Sequence, residues 1–134
     1  MVKHVSIQNF KSIKHLEFEA RRVNVFVGEP NAGKSNILEA LGLFSLPSNP
    51  EEFRGFLRFK TPDNLFFENN ISIPIEVKYG ELASKVMYLR DKKFYFSIDS
   101  IKGEEHNHLS LLQFNNEILP KPEGSGTTNI GYYK

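Results

Sequence analysis

The sequence predicts an α/β fold: a mixed sheet around one amphipathic helix, followed by a largely antiparallel, strand-rich second half. Three observations predict it. Residues 23–27 form an apolar run, Val23, Val25, Phe26 and Val27, as expected for a strand covered on both faces. The loop Gly28-Glu29-Pro30-Asn31-Ala32-Gly33-Lys34-Ser35 follows it and opens a helical pattern. After residue 70 the apolar period changes from helical to two.

In chain order, residues 2–9 alternate weakly and read as a strand. Residues 15–20 alternate better, with Leu16, Phe18 and Ala20 against Glu17 and Glu19, so that strand has one wet face. Residues 23–27 make the next strand, which Gly28 ends. The helix begins near Gly33 or Lys34. Ile37, Leu41 and Phe44 recur at helical spacing with Leu38 beside them, and Pro47 stops it. Asn49 caps a short helix over residues 51–56, with Pro50 at its first position. Residues 71–79 alternate around Pro74, which cannot donate to a ladder and so predicts an edge strand or a proline facing away from its partner. Residues 84–90 and 94–101 read as strands around an Asp91-Lys92-Lys93 turn. Residues 109–114 and 117–119 read as strands around Asn115-Asn116. Residues 120–134 have loop or linker composition, which sets the domain at residues 1–119.

The chain has 134 residues, enough for one domain with its own core, and twelve phenylalanines with no tryptophan suggest that the core is β-rich. It has no cysteine, which excludes disulfides and thiolate metal sites. No apolar run is long enough to cross a membrane and no signal-peptide core follows the N-terminus, so a cytoplasmic protein with no membrane contact is expected. A net charge of +1 makes no global case for nucleic acid, and the basic excess in residues 1–22 reads as a solvated face.

The loop at residues 28–35 satisfies GxxxxGK[ST] in the context its chemistry requires, after a buried-strand pattern and before a helix. Gly28 leaves the strand in a conformation that a β-carbon resists, and Gly33 lets backbone pass close to phosphate. Backbone N–H groups of Asn31, Ala32, Gly33, Lys34 and Ser35 form an anion nest at the positive end of the helix. Asn36 extends this set of nucleotide-binding residues. Lys34 brings a point charge to the phosphates, and the Ser35 hydroxyl offers a ligand to Mg²⁺.

"VSIQNFKSIKHLEFE", the phosphate loop and "NILEAL" together resemble the N-terminal ATP-binding lobe of the SMC/RecF/ABC-type ATPases, a group that includes overcoming-lysogenisation-defect nucleases and related AAA-type ATPases. The likeness covers residues 2–46 closely. It implies a P-loop NTPase-like lobe with ATP and Mg²⁺ as cofactors. It implies that Asn9, Phe10, Lys11 and Ser12 sit near the nucleotide, with Lys11 and Ser12 as contacts. It implies a loop glutamine reaching Mg²⁺ and the attacking water, for which Gln113 is the candidate. The family loop is usually GPNGSGKS, and here Glu29 and Ala32 replace commoner residues; Glu29 puts a negative charge near the phosphates.

Other parts of such an ATPase are missing from the sequence. Residues 94–99 alternate like a half-exposed strand and no acid follows Asp99, so this is a poor metal carboxylate. No signature sequence is present, and "GSGT" lies in a loop with no helix behind it. His106 and His108, beside Glu104 and Glu105, read as a solvated loop. The expectation is the nucleotide-binding lobe of a larger ATPase of DNA repair, DNA maintenance or phage defence, hydrolysing little by itself. The resemblance further implies a C-terminal lobe as partner, a head-to-head homodimer of the full-length protein, and DNA as a partner class. The alternative is a non-hydrolytic module using the loop for structure or docking. A small-molecule kinase fits less well, because the chain turns to period-two strands after one helix.

Overall fold

The computed structural model describes residues 3–45, 57–88, 94–102, 105–114 and 120–122. Seven strands form one sheet in the order β2-β1-β3-β4-β5-β6-β7. They are β1 (Lys3–Phe10), β2 (Ile13–Ala20), β3 (Ile75–Tyr79), β4 (Leu82–Tyr88), β5 (Phe94–Lys102), β6 (Glu105–Phe114) and β7 (Pro120–Pro122). Every pairing is antiparallel, so the sheet is not the mixed one the sequence predicts.

The difference lies in residues 23–27. They join no strand among the described residues, and Val23, Val25 and Val27 are 76%, 77% and 90% exposed. A nearly all-apolar run signals a strand to be covered on both faces, but the described residues supply no cover for the three valines. Only Phe26 turns inward, meeting Phe18 edge-to-face with ring centroids 5.3 Å apart.

The helix α1 (Lys34–Gly42) ends in a 3-10 turn (Leu43–Ser45) and packs against β1 and β3. Ile37, Ala40 and Leu43 carry its buried face, while Leu38, expected beside the stripe, is exposed. They meet Val5, Ile7 and Phe10 of β1, Ile75 and Val77 of β3, and Leu57, Leu65 and Phe66 in one core, which Val86, Phe96 and Ile98 extend along the sheet.

Other expectations shift for local reasons. β3 is internal, between β1 and β4, and starts after Pro74, so the proline costs the ladder nothing. Pro120 and Pro122 lie in the edge strand β7 rather than in a linker; an edge tolerates proline because one row of its N–H groups has no partner. His106 and His108 are in β6, register partners of Ile101 and Asp99, and not in a loop. The expected short helix at 51–56, the turns at 91–93 and 115–116, the strand at 117–119 and the tail beyond residue 122 lie outside the described residues.

Candidate functional site

The site is built by two turns that meet. The first is the two-residue hairpin turn Lys11-Ser12, closed by the pairing of Phe10 with Ile13. Asn9 and Lys11 have left-handed φ values of 58° and 49°, which bend the end of β1. Asn9 is buried, and its Nδ2 donates to the Ile73 carbonyl at 2.6 Å and to Asn70 at 3.4 Å. Phe10 is fully buried. Two of the four residues expected near the nucleotide are therefore structural, pinning the turn rather than facing the loop.

The second turn is the phosphate loop. Asn31 and Gly33 have left-handed φ values of 64° and 84°, and Ala32 N–H donates to the Glu29 carbonyl at 3.2 Å. Gly33 is the N-cap of α1; no side chain caps it and no acid lies in the first turn. The positive end of the helix thus has no side chain to satisfy its N–H groups or offset its dipole. Gly28 departs from expectation: its φ lies outside the left-handed range, and an added β-carbon would meet Ala32 at an ordinary 3.5 Å.

The turns touch at Ser12 and Gly33. Asn36 Nδ2 donates to Ser12 Oγ at 2.7 Å, and a β-carbon on Gly33 would fall 2.5 Å from that oxygen. Gly33→Ala should therefore cost more than about 1 kcal/mol, combining left-handed backbone with a steric conflict. Thermal unfolding of Gly33→Ala with and without Ser12→Ala checks this: losing the hydroxyl should recover part of the loss, and full additivity would contradict the contact.

Asn31, Ala32, Gly33, Lys34, Ser35, Asn36 and Arg58 line a cavity of about 280 Å³. It gathers the expected loop residues except Gly28. Lys34 Nζ donates to the Gly28 and Glu29 carbonyls, each at 2.6 Å, across the loop mouth. Ser35 is exposed and lines the same cavity.

Lys11 takes another direction. Its ammonium donates to Glu39 Oε2 and, at 2.6 Å, to the Arg58 carbonyl. Arg58 donates to Glu39 Oε1 from Nε at 3.2 Å and from a terminal nitrogen at 3.0 Å, and its backbone N–H reaches Oε2 at 3.3 Å. Burial pushes the Glu39 carboxyl up, but the hydrogen bonds from Lys11 and Arg58 outweigh it and hold the group below its ordinary range. Sequence reasoning missed both Glu39 and Arg58. An acid inside the apolar run "NILEAL" is a readable signal for Glu39, whereas nothing local marks Arg58.

Gln113 lies within β6, opposite Tyr95 and Lys121, rather than in a loop. Asp99 lies on β5, which β3 and β4 separate from β1, and Ser97 Oγ donates to it at 3.5 Å. No cluster of three metal-ligating side chains exists among the described residues. Nor does any helix there have the length and apolarity to cross a membrane.

A family model of the AAA ATPase domain matches residues 1–123. The chain is 33% identical over 93 residues to an uncharacterized protein of Methanocaldococcus jannaschii, covering 59% of this chain and 42% of that one. It is 27% identical over 123 residues to the DNA replication and repair protein RecF of Clostridium kluyveri, covering 91% of this chain and 32% of RecF. Over 42 residues it is 45% identical to an ATP/GTP phosphatase of Helicobacter pylori, covering 31% of this chain and 11% of that one. The chain thus spans less than half the length of these curated relatives.

Proposed function

We propose, because this chain belongs to the AAA ATPase domain family, that it is the ATP-binding lobe of a larger cytoplasmic ATPase of the SMC/RecF type. One observation carries the reading: an uncapped helix N-terminus, Lys34 and Ser35 converge on one cavity beside a loop with two left-handed residues. That is the make-up of an anion site with a point charge and a hydroxyl. The N–H groups hold the phosphates, Lys34 leaves the Gly28 and Glu29 carbonyls to meet them, and Ser35 supplies one Mg²⁺ ligand. The cation, when bound, would neutralise charge between phosphate oxygens.

Among the described residues no carboxylate is positioned for an attacking water, in keeping with appreciable hydrolysis belonging to the larger protein. Val23, Val25 and Val27 are exposed and uncovered by the described residues, which supports a C-terminal lobe as their cover. A head-to-head homodimer of the full-length protein and a role on DNA in repair, maintenance or phage defence complete the reading; the RecF likeness supports the DNA part.

A second reading, a non-hydrolytic module using its loop structurally, is favoured by the two carbonyl contacts that already satisfy Lys34. Calorimetric titration of Mg-ATP separates the two. The wild-type chain should bind, and Lys34→Ala should abolish binding without loss of folding. No binding by the wild type, or unchanged binding by the variant, rejects the nucleotide reading.

A further inference from the structure

We propose that two copies of this chain pair through the open edge of the sheet, β2 against β2, as one continuous antiparallel sheet. β2 is an end strand, eight residues long and without proline. The opposite end strand, β7, has three residues, two of them proline. Shortness and proline blunt an edge, and β2 has neither. Its open row can be assigned. Gly80 N–H donates to the His4 carbonyl at 2.9 Å, so His4 turns its backbone groups toward β3. Hydrogen bonding alternates along a strand, which turns Val5 and Ile7 toward β2 and their partners Phe18 and Leu16 toward β1. The N–H and C=O groups of His15, Glu17 and Glu19 therefore point away from the sheet. Asn24 agrees with this: its Nδ2 donates to the Glu19 carbonyl at 3.1 Å, and its Oδ1 accepts from the Arg21 N–H at 2.8 Å. That side-chain amide stands where the peptide of a neighbouring strand would stand. It closes the edge at Glu19 and leaves it open at His15 and Glu17, where no backbone among the described residues meets it.

The residues of β2 select one register. Residues directly opposite in an antiparallel pair share a face, where opposite charges attract and like charges repel. With Leu16 opposite the partner's Leu16, Glu17 faces the partner's His15, and His15 faces the partner's Glu17. Each of these pairs exchanges both backbone bonds through the groups that are open. Glu17 already draws imidazoles on this face, with His15 Nε2 at 3.3 Å and His4 Nε2 at 3.8 Å from its oxygens. On the other face the two Leu16 side chains meet, and Phe18 lies against the partner's Lys14. A slide of one residue in one direction sets Glu17 against the partner's Glu17 and calls on the Glu19 carbonyl that Asn24 holds. A slide in the other direction sets His15 against the partner's His15 and leaves Glu17 against the partner's Ile13. The occupant is a second copy because β2 supplies both halves of the match: His15 and Glu17 flank Leu16, so a two-fold axis there exchanges them. The pairing needs no nucleotide.

Sedimentation equilibrium of the chain without nucleotide tests this and should show a monomer–dimer equilibrium. Glu17→Pro should abolish the dimer while the chain stays folded, because it removes an N–H that the edge needs and β1 does not. Glu17→Lys should weaken the dimer about two- to thirtyfold, since each altered pair occurs twice, and His15→Glu/Glu17→Lys should restore it. The chain has no cysteine, so single introduced thiols read the register. Leu16→Cys should crosslink quickly on oxidation, because partners in a non-hydrogen-bonded pair bring their Cα atoms to roughly 4.5 Å, within disulfide reach. Glu17→Cys should crosslink slowly. A wild-type chain that stays monomeric at its highest soluble concentration would overturn the pairing. A dimer left intact by Glu17→Pro would place the contact on another surface and overturn the edge. Faster crosslinking of Glu17→Cys than of Leu16→Cys, or no rescue by the double exchange, would overturn the register. Should Glu17→Pro not fold, the two thiol variants decide alone. Failure of the wild type to bind Mg-ATP would leave every one of these outcomes unchanged.

Discussion

Replacing Glu39 with alanine should cost about 3–5 kcal/mol of folding stability, the cost of removing one partner from a buried ion pair. Arg58 can turn to water, but the Lys11 ammonium is largely enclosed and loses its only carboxylate among the described residues. Urea unfolding measures it; a loss under about 1 kcal/mol would mean that Lys11 reaches solvent easily. The same group sets a pH dependence. The folded Glu39 carboxyl titrates below its ordinary value of 4.5, so its stabilising contribution is present above that value. It is lost as pH falls through the lower, folded value. Glu76, where burial is outweighed by hydrogen bonds from Lys78 and Lys85, acts in the same direction. The melting temperature should therefore fall on acidification below about pH 4.5, less steeply in Glu39→Gln, with Glu76 supplying the remaining slope.

Phe10→Ala should cost a similar amount, about 3–5 kcal/mol, through lost burial and the cavity left behind. Phe10 is fully enclosed, forms an isolated antiparallel bridge with Phe66, and precedes Lys11, whose N–H donates to the Leu65 carbonyl at 2.8 Å. Against a typical total of about 5–15 kcal/mol, either change takes a large share of stability. Phe10→Leu should cost markedly less in the same urea experiment. Equal costs would show that shape at this position, rather than buried volume, governs the loss.

Much of this was legible because period two is a strong signal when one face is buried. β1, β2, β4 and β5 fall close to where alternation puts them, and α1 starts at the lysine that the loop pattern marks. The loop was legible because glycine, lysine and serine at fixed spacing reflect backbone geometry directly. Residues 23–27 were misread because an apolar run states what a segment needs, not whether the needed neighbour is present. Pro74 was misread because a proline before a strand and one inside it look alike in sequence. Lys11 was noticed as a cation near the site, but its partner could not be read. The Lys11–Glu39–Arg58 cluster joins a hairpin turn, a helix and a loop, and no local pattern spans those separations.

The strand order also sets an order of events. Every neighbouring pair in the sheet is joined by consecutive strands except β1 and β3. Local hairpins close quickly, whereas β1–β3 pairing must wait for the chain between residues 20 and 75 to double back, at a cost in loop entropy. The phosphate loop, α1, Glu39 and Arg58 all lie on that excursion. During refolding, sheet signals should therefore rise before the cavity at residues 31–36 and 58 closes, and the slowest step to form the fold is also the step that makes the pocket.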